Sequence, residues 1–408
     1  MDQLIAKYET KLIQAGLADA KGPHRPIVGG LDHALAWNRT GPETRILEPL
    51  FSSMAINSLV FLRPRPPYDR IIGFLANQAL AGNTPIQPKD CETRTFLHDL
   101  PVIQNMSTPD IIHALKRRKC VLVAGDARQD PEGNSQPAII AHGTVSPEQG
   151  FVVASSVVFA CFVKFFTDYL SFLRTGSASG EMHQLYDAML PELCHPAPAL
   201  PDLAKGPLAS EEAVYAAMVQ TGRKTVEYGL VDSYFGNISY CRNGILYISQ
   251  TGSSLDELQG CIDPVPLDGS SSAGLTASSE LTAHLETIAR TGAKAILHGH
   301  PKFSVILSMD CPPGQKKTCR FNDRCHTHCP EQRSVDGVPI VPGEVGTGPT
   351  GLCNTLPKAF EQSDSAIVYG HGLFTLGETD FRQAFSTLLD VETRCRQMYI
   401  GEINRLRS

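Results

Sequence analysis

Ile296-Leu-His-Gly-His-Pro301 is the stretch that decides how this chain is read. The run leading into it, Ala293-Lys-Ala-Ile-Leu297, has the character of a strand, and residues two apart on a strand project from one face. His298 and His300 therefore point the same way. Neutral imidazole is the commonest protein ligand for zinc and similar ions, and a catalytic site takes three protein ligands and leaves a position open for substrate. The pair thus asks for a third ligand elsewhere in the chain. From this stretch alone the other reading, two histidines on a surface or loop, stays open.

At 408 residues the chain exceeds the size at which single cores stop growing, which predicts two domains. Hydrophobic residues at 42% and charged residues at 19% describe an ordinary globular protein and speak against disorder. A formal net charge of −6 argues against a general binder of nucleic acid or anionic membrane, either of which needs a basic face. The longest apolar stretch, 150–173, is interrupted by Lys164 and Asp168 and reads as a buried helix rather than a membrane span. The start, Met1-Asp-Gln-Leu-Ile-Ala-Lys7, lacks the basic region and apolar core of a signal peptide. The twelve cysteines are therefore expected as mostly reduced thiols in a cytoplasm.

In chain order, apolar spacing predicts a helix over 4–17, a loop over 22–41 containing the single tryptophan, Trp37, a strand over 56–62 and a helix over 71–80. A helix over 109–118 ends in the basic run Lys116-Arg-Arg-Lys119, whose charge suits a helix C-terminus. Strands follow at 120–124 and 138–143, separated by a polar turn at 126–136, and then comes the most hydrophobic helix, 146–173. His195-Pro-Ala-Pro-Ala-Leu-Pro201, continuing to Pro207, can neither form a helix nor pair inside a sheet. It divides the chain into a mixed α/β domain at 1–194, a linker at 195–209 and a second domain at 210–408. The second domain opens with a helix over 210–228 capped by Ser210. Gly236-Asn-Ile-Ser-Tyr240, a strand over 244–249, and Gln250-Thr-Gly-Ser-Ser254 come next. In Ala277-Ser-Ser-Glu-Leu-Thr-Ala-His284 a helix starts, with Ser278 or Ser279 free to cap and Glu280 in the first turn. Glycine, asparagine and hydroxyl residues at element ends are what an anion pocket needs.

Taken in order, Gly-Asn-Ile-Ser, Gln-Thr-Gly, Ser-Ser-Glu, His-Gly-His and Tyr369-Gly-His-Gly-Leu373 resemble the class II aldolase/adducin family over roughly residues 210–400. The resemblance implies an α/β domain of the α+β type, with a mainly antiparallel sheet sandwiched by helices, assembled as a homo-oligomer (dimer or tetramer). It implies a divalent metal, Zn2+ first and Mn2+, Co2+ or Fe2+ as alternatives, on His298, His300 and His371. It places Gly236, Asn237, Thr251, Gly252, Ser278 and Ser279 at a phosphate pocket and Glu280 at the acid/base position of the aldolases. The activity implied is metal-dependent cleavage or formation of a C–C bond in a small sugar phosphate or related hydroxy-carbonyl compound. An epimerase, dehydratase or decarboxylase on the same scaffold is the near alternative, and a non-catalytic assembly module, as in adducin, the distant one. No nucleic-acid or membrane partner is implied.

This chain departs from the family pattern in two places. Tyr234-Phe235 stands where a small pair is usual, and an insertion at 309–330 carries Cys311, Cys319, Cys325 and Cys329 with His326 and His328. Four thiolates there could hold a second, structural metal, form a disulfide or remain loose thiols. Lys116-Arg-Arg-Lys-Cys-Val-Leu-Val123, Ile140-Ala-His-Gly143 and the helix after Ser146 follow the order of 364–372, 377–380 and 381–399. The first half is accordingly expected to be a degenerate copy of the second that lacks His-x-His and its metal.

Overall fold

The structure, a computed structural model, describes residues 1–22, 24–125, 136–232, 234–311, 318–322 and 324–408. Nearly all of the predicted turn at 126–136 therefore lies outside the described residues, as does part of the cysteine-bearing insertion. Met1–Asp168 with Ser179–Glu192 make one compact unit, and Tyr169–Ala178 with Leu193–Ser408 make another.

In the first unit α1 (Asp2–Gln14) precedes β1 (Ile27–Leu31) and β2 (Leu35–Trp37). The short helices α2 (Pro42–Leu47) and α3 (Pro49–Ser53) lead to β3 (Ser58–Leu62), followed by α4 (Tyr68–Gly82), α5 (Cys91–Leu97), β4 (Val102–Ile103) and α6 (Thr108–Leu115). The unit closes with β5 (Cys120–Val123), β6 (Ala138–Gly143) and α7 (Pro147–Arg174), whose last turns count with the second unit, and α8 (Gly180–Leu193). The loop expected over 22–41 is instead a hairpin, Gly29 pairing with Trp37 and Leu31 with Leu35. Gly29 and Gly30 dilute the apolar pattern by which a strand is recognised. Trp37 packs on the core below it, edge-on to Phe51 with centroids 5.6 Å apart. Helix α7 is long and apolar enough to cross a membrane, yet 83% of its most apolar 18-residue window is buried inside the protein. It is a core helix.

In the second unit α9 (Glu211–Glu227) is capped as expected, the Ser210 side chain accepting the Ala213 N–H at 3.2 Å. The strands are β7 (Asn237–Arg242), β8 (Ile245–Ser249), β9 (Ile262–Pro266), β10 (Ala295–Gly299), β11 (Arg333–Val335), β12 (Val338–Val341), β13 (Ser365–Val368) and β14 (Gly372–Gly377). Between and after them run α10 (Leu281–Thr291), α11 (Lys302–Ser308), α12 (Leu352–Ala359) and α13 (Phe381–Arg407). The sheet order is β11-β12-β13-β14-β10-β7-β8-β9, antiparallel except at β12–β13. Alternation along β10 splits its residues between the two faces. Ile296 packs with Ala283 and Ile288 of α10 and Leu356 of α12, while Gly299 backs onto Leu388 of α13. His298 shares a face with Ile296, so it looks toward the start of α10.

The first sheet, β2-β1-β3-β6-β5-β4, repeats the plan β8-β7-β10-β14-β13-β12 strand for strand, with its single parallel pair, β4–β5, in the matching place. Registers match as well. Ser58 of β3 faces Gly30 and Gly143 as Ala295 of β10 faces Tyr240 and Gly377. Six residues beyond those matched glycines, Gln149 accepts the Thr144 N–H at 2.8 Å, and Gln383 accepts the Glu378 N–H at 3.1 Å.

Candidate metal centre

Three elements of the second unit deliver the site. His298 is the fourth residue of β10, His300 follows the end of that strand, and His371 sits in the turn between β13 and β14, the strand paired with β10. Their exposures are 1%, 2% and 4%, which excludes the surface reading left open by the sequence. His298 Nε2 lies 3.0 Å from His300 Nε2 and 3.3 Å from His371 Nε2. A side chain at 372 could not be accommodated. A Cβ there would lie 2.4 Å from the Gly299 carbonyl oxygen, 2.6 Å from His298 Cε1 and 2.9 Å from His300 Cδ2. Gly372→Ala is expected to push the His371 turn off β10, costing ~1–3 kcal/mol of stability and loosening the cluster. Thermal unfolding and bound-metal analysis on that variant check it.

The donor chemistry fits a metal ion. His298 Nδ1 donates to the Leu373 carbonyl at 3.2 Å, which leaves the Nε2 lone pair facing the other two rings. Burial, and then the neighbouring imidazoles, hold His298 and His300 well below the ordinary histidine range, so both are neutral. Nitrogens bound to one tetrahedral ion at ~2.0–2.1 Å stand about 3.3 Å apart, close to the separations found. Among the described residues this is the one group of three such ligand atoms within 4.8 Å of one another. Phe374 stacks on His298 at 3.7 Å, and Phe235 stacks on His300 at 5.3 Å. The bulk at Tyr234-Phe235 thus walls a predicted ligand. Glu392, on α13, accepts the N–H groups of Phe303 and Ser304 at 2.8 and 2.9 Å and so fixes the start of α11 directly after His300-Pro301.

Glu280 lies beside the histidines, Oε1 3.4 Å from His371 Nε2 and Oε2 3.7 Å from His298 Nε2. It occupies the N-cap position of α10, outside the first turn where the sequence placed it, and makes no side-chain cap. Its carboxylate is turned to the site, and the Ser278 hydroxyl takes the Glu280 N–H at 3.3 Å. Asn237 Nδ2 donates to Glu280 Oε2 at 2.5 Å, and its Oδ1 accepts from His284 Nε2 at 2.6 Å. With that proton on Nε2, the Ser239 hydroxyl donates to His284 Nδ1 at 2.7 Å. His284 was missed in the sequence, although the signal was there. Glu280 and His284 are four apart on a helix, and Asn237 and Ser239 two apart on a strand.

Burial lowers the His284 pKa to about 3 from an ordinary 6.5. The unfolded chain therefore takes up a proton below pH 6.5 that native His284 refuses until about pH 3, so this residue lowers stability progressively as pH falls through that window. His284→Gln, which keeps a donor toward Asn237, is expected to flatten that acid loss. His284→Leu strands the Asn237 oxygen at a cost of ~1–3 kcal/mol. Melting curves between pH 7 and 5 test both.

The remaining predicted residues are less drawn together. Gly236 abuts the His298 carbonyl. The antiparallel bridge between Gln250 and Ala277 sets Thr251 against Thr276, whose carbonyl accepts the Thr251 N–H at 3.0 Å, and Ser278 against Ser249, so Thr251 and Gly252 run away from Ser278 and Ser279. Of these, Ser278 is buried, while Thr251, Gly252 and Ser279 are exposed. Cys311, Cys319, Cys325 and Cys329 line one cavity of about 450 Å³ with His328 and Tyr369, and none of the four is joined in a disulfide.

Similarity to known proteins extends over about half of the chain. The L-fuculose-1-phosphate aldolase of Thermus thermophilus is 22% identical, covers 47% of this chain and 95% of its own, and superposes with a TM-score of 0.37. YgbL of Escherichia coli, described as a putative aldolase/epimerase/decarboxylase, gives 23%, 48%, 99% and 0.37. A sugar-phosphate aldolase of Thermotoga maritima gives 17%, 47%, 96% and 0.33. No curated protein matches the chain. The family model that matches is the Class II Aldolase and Adducin N-terminal domain, over residues 216–399.

Proposed function

We propose that the second unit is a divalent-metal-dependent aldolase that cleaves or forms a C–C bond in a small sugar phosphate or related hydroxy-carbonyl compound. The observation that carries this reading is the convergence of His298, His300 and His371 on one point with the Glu280 carboxylate beside it. A divalent ion held there, Zn2+ by the donor set, supplies Lewis-acid polarisation of a substrate carbonyl. The chain's own residues do the rest. Glu280 moves the proton at the carbon that gains or loses its partner. Asn237, spanned between Glu280 and His284, keeps that carboxylate aimed at the site. Thr251, Gly252, Ser278 and Ser279 offer hydroxyl and backbone donors to a phosphate. Phe235 and Phe374 keep water from the imidazole faces. Retention of all three histidines and the carboxylate speaks against a non-catalytic, adducin-like role.

The test is to load the purified protein with metal, incubate it with a panel of ketose phosphates and detect released dihydroxyacetone phosphate. Triose released in step with bound metal supports the aldol reading. Bound metal with no triose from any member of the panel overturns it, and epimerase, dehydratase and decarboxylase assays on the same protein take its place.

A further inference from the structure

The position that carries the metal centre in the second unit has a different chemistry in the first. By the matched registers Phe61 and Arg63 stand where His298 and His300 do, and Pro137, just before β6, stands where His371 precedes β14. Phe61 and Arg63 share a face, the guanidinium lying 5.0 Å from the ring centroid. Arg63 is 8% exposed. Its Nη1 donates to Glu43 Oε1 at 2.8 Å, and Glu43 lies in the first turn of α2, whereas Glu280 stands at the N-cap position of α10.

The other edge of this guanidinium has no partner. Arg63 Nε is buried without a hydrogen bond, and Nη2 makes none among the described residues. Nε and Nη2 form the planar fork that matches two oxygens of a carboxylate or phosphate. A second guanidinium stands nearby. Arg39 donates through Nε to the Pro26 carbonyl at 3.3 Å and through Nη2 to the Arg25 carbonyl at 2.7 Å, leaving Nη1 uncommitted. A Cβ on Gly41 would lie 3.8 Å from that Nη1 and 3.0 Å from Glu43 Oε2, so the absence of a side chain at 41 keeps the space open. Charge is unbalanced. Arg25 pairs with Glu9 at 2.7 Å and Arg63 with Glu43 at 2.8 Å, while Arg39 has no carboxylate within ion-pair distance among the described residues. Burial, together with Arg25 and Arg63, holds the Arg39 guanidinium below its ordinary range despite Glu43 and Glu9.

We propose that the first unit binds a small oxyanion, the phosphate or carboxylate group of an organic ligand, between the free edge of Arg63 and Arg39 Nη1. An anion there partners the orphaned Nε–H and neutralises the surplus charge, as a phosphate or carboxylate does at any paired-arginine site. The proposal stands independently of the reaction assigned to the second unit.

Trp37, the only tryptophan, lies two residues from Arg39 and gives a readout local to this site. The experiment titrates the full chain with inorganic phosphate and, separately, malonate at constant ionic strength, following Trp37 emission against a chloride control. A saturable change with either anion is expected, phosphate alone or malonate alone identifying the ligand class. Arg63→Lys, which keeps the charge and loses the fork, and Arg39→Gln should each weaken binding by about tenfold or more. Arg39→Gln leaves the buried Arg63–Glu43 pair intact and so covers the case in which Arg63→Lys fails to fold. A response that is linear and equal to that of chloride, or unchanged in Arg39→Gln, would overturn the proposal.

Discussion

His298→Ala is expected to cost the purified protein its bound divalent ion. Removing even a residue that only orients a metal ligand lowers affinity by about 10–100-fold, so loss of a ligand from a set of three sets that as a floor. The same change opens a cavity against Phe374, whose ring lies 3.7 Å from the imidazole at a site 1% exposed, and should cost ~2–4 kcal/mol. Two readouts separate lost binding from lost folding. Adding zinc to metal-stripped wild-type protein should raise its melting temperature by linkage, whereas the variant, though less stable, should not respond. Metal analysis after dialysis should find about one ion per wild-type chain and far less in the variant. A variant that binds zinc as wild type does would show that the three histidines are not the ligands. Histidine neutrality gives the pH sign. His298 and His300 are held well below 6.5, so their lone pairs stay available at neutral pH and proton competition begins only on the acid side.

What the sequence made legible follows from which interactions are local. His-x-His on an apolar strand announces itself, because strand alternation alone puts both rings on one face. The strands at 120–124 and 138–143 and the helix at 146–173 were read within a residue or so of Cys120–Val123, Ala138–Gly143 and Pro147–Arg174 for the same reason. The hairpin of β1 and β2 was not, since Gly29-Gly30 interrupts the apolar run and its pairing is set by β3. The hint of repetition rested on order. In the structure Gly143 matches Gly377, so His142 falls at the place of Leu376 and not of His371. Arg63 could not be recognised as the counterpart of His300, because the match lies in strand register and not in residue type. The role of His284 was hidden likewise. Its spacing from Glu280 is visible in one dimension, but Asn237, which joins them, arrives from a strand more than forty residues away.

Glu280→Gln should separate metal binding from chemistry. The carboxylate is 4% exposed, and its side chain makes no cap hydrogen bond at the start of α10. Its neighbours are Asn237 Nδ2 at 2.5 Å and the Nε2 atoms of His371 and His298 at 3.4 and 3.7 Å. Glutamine has nearly the same shape, and its amide oxygen can still accept from Asn237, so fold and metal content should survive. An amide cannot take up and return a proton at carbon. General acid–base catalysis contributes about 10²–10⁴-fold, and kcat should fall by that factor while KM stays within a few fold. Glu280→Asp keeps the acid but draws it back by one methylene from the histidines and from Asn237, and should fall between the two. The measurement is kcat and KM on the substrate found in the ketose-phosphate panel, with metal content determined on the same samples. Cleavage by Glu280→Gln at the wild-type rate would remove Glu280 from proton transfer, and the Asn237–His284–Ser239 chain would then serve only to satisfy a buried carboxylate.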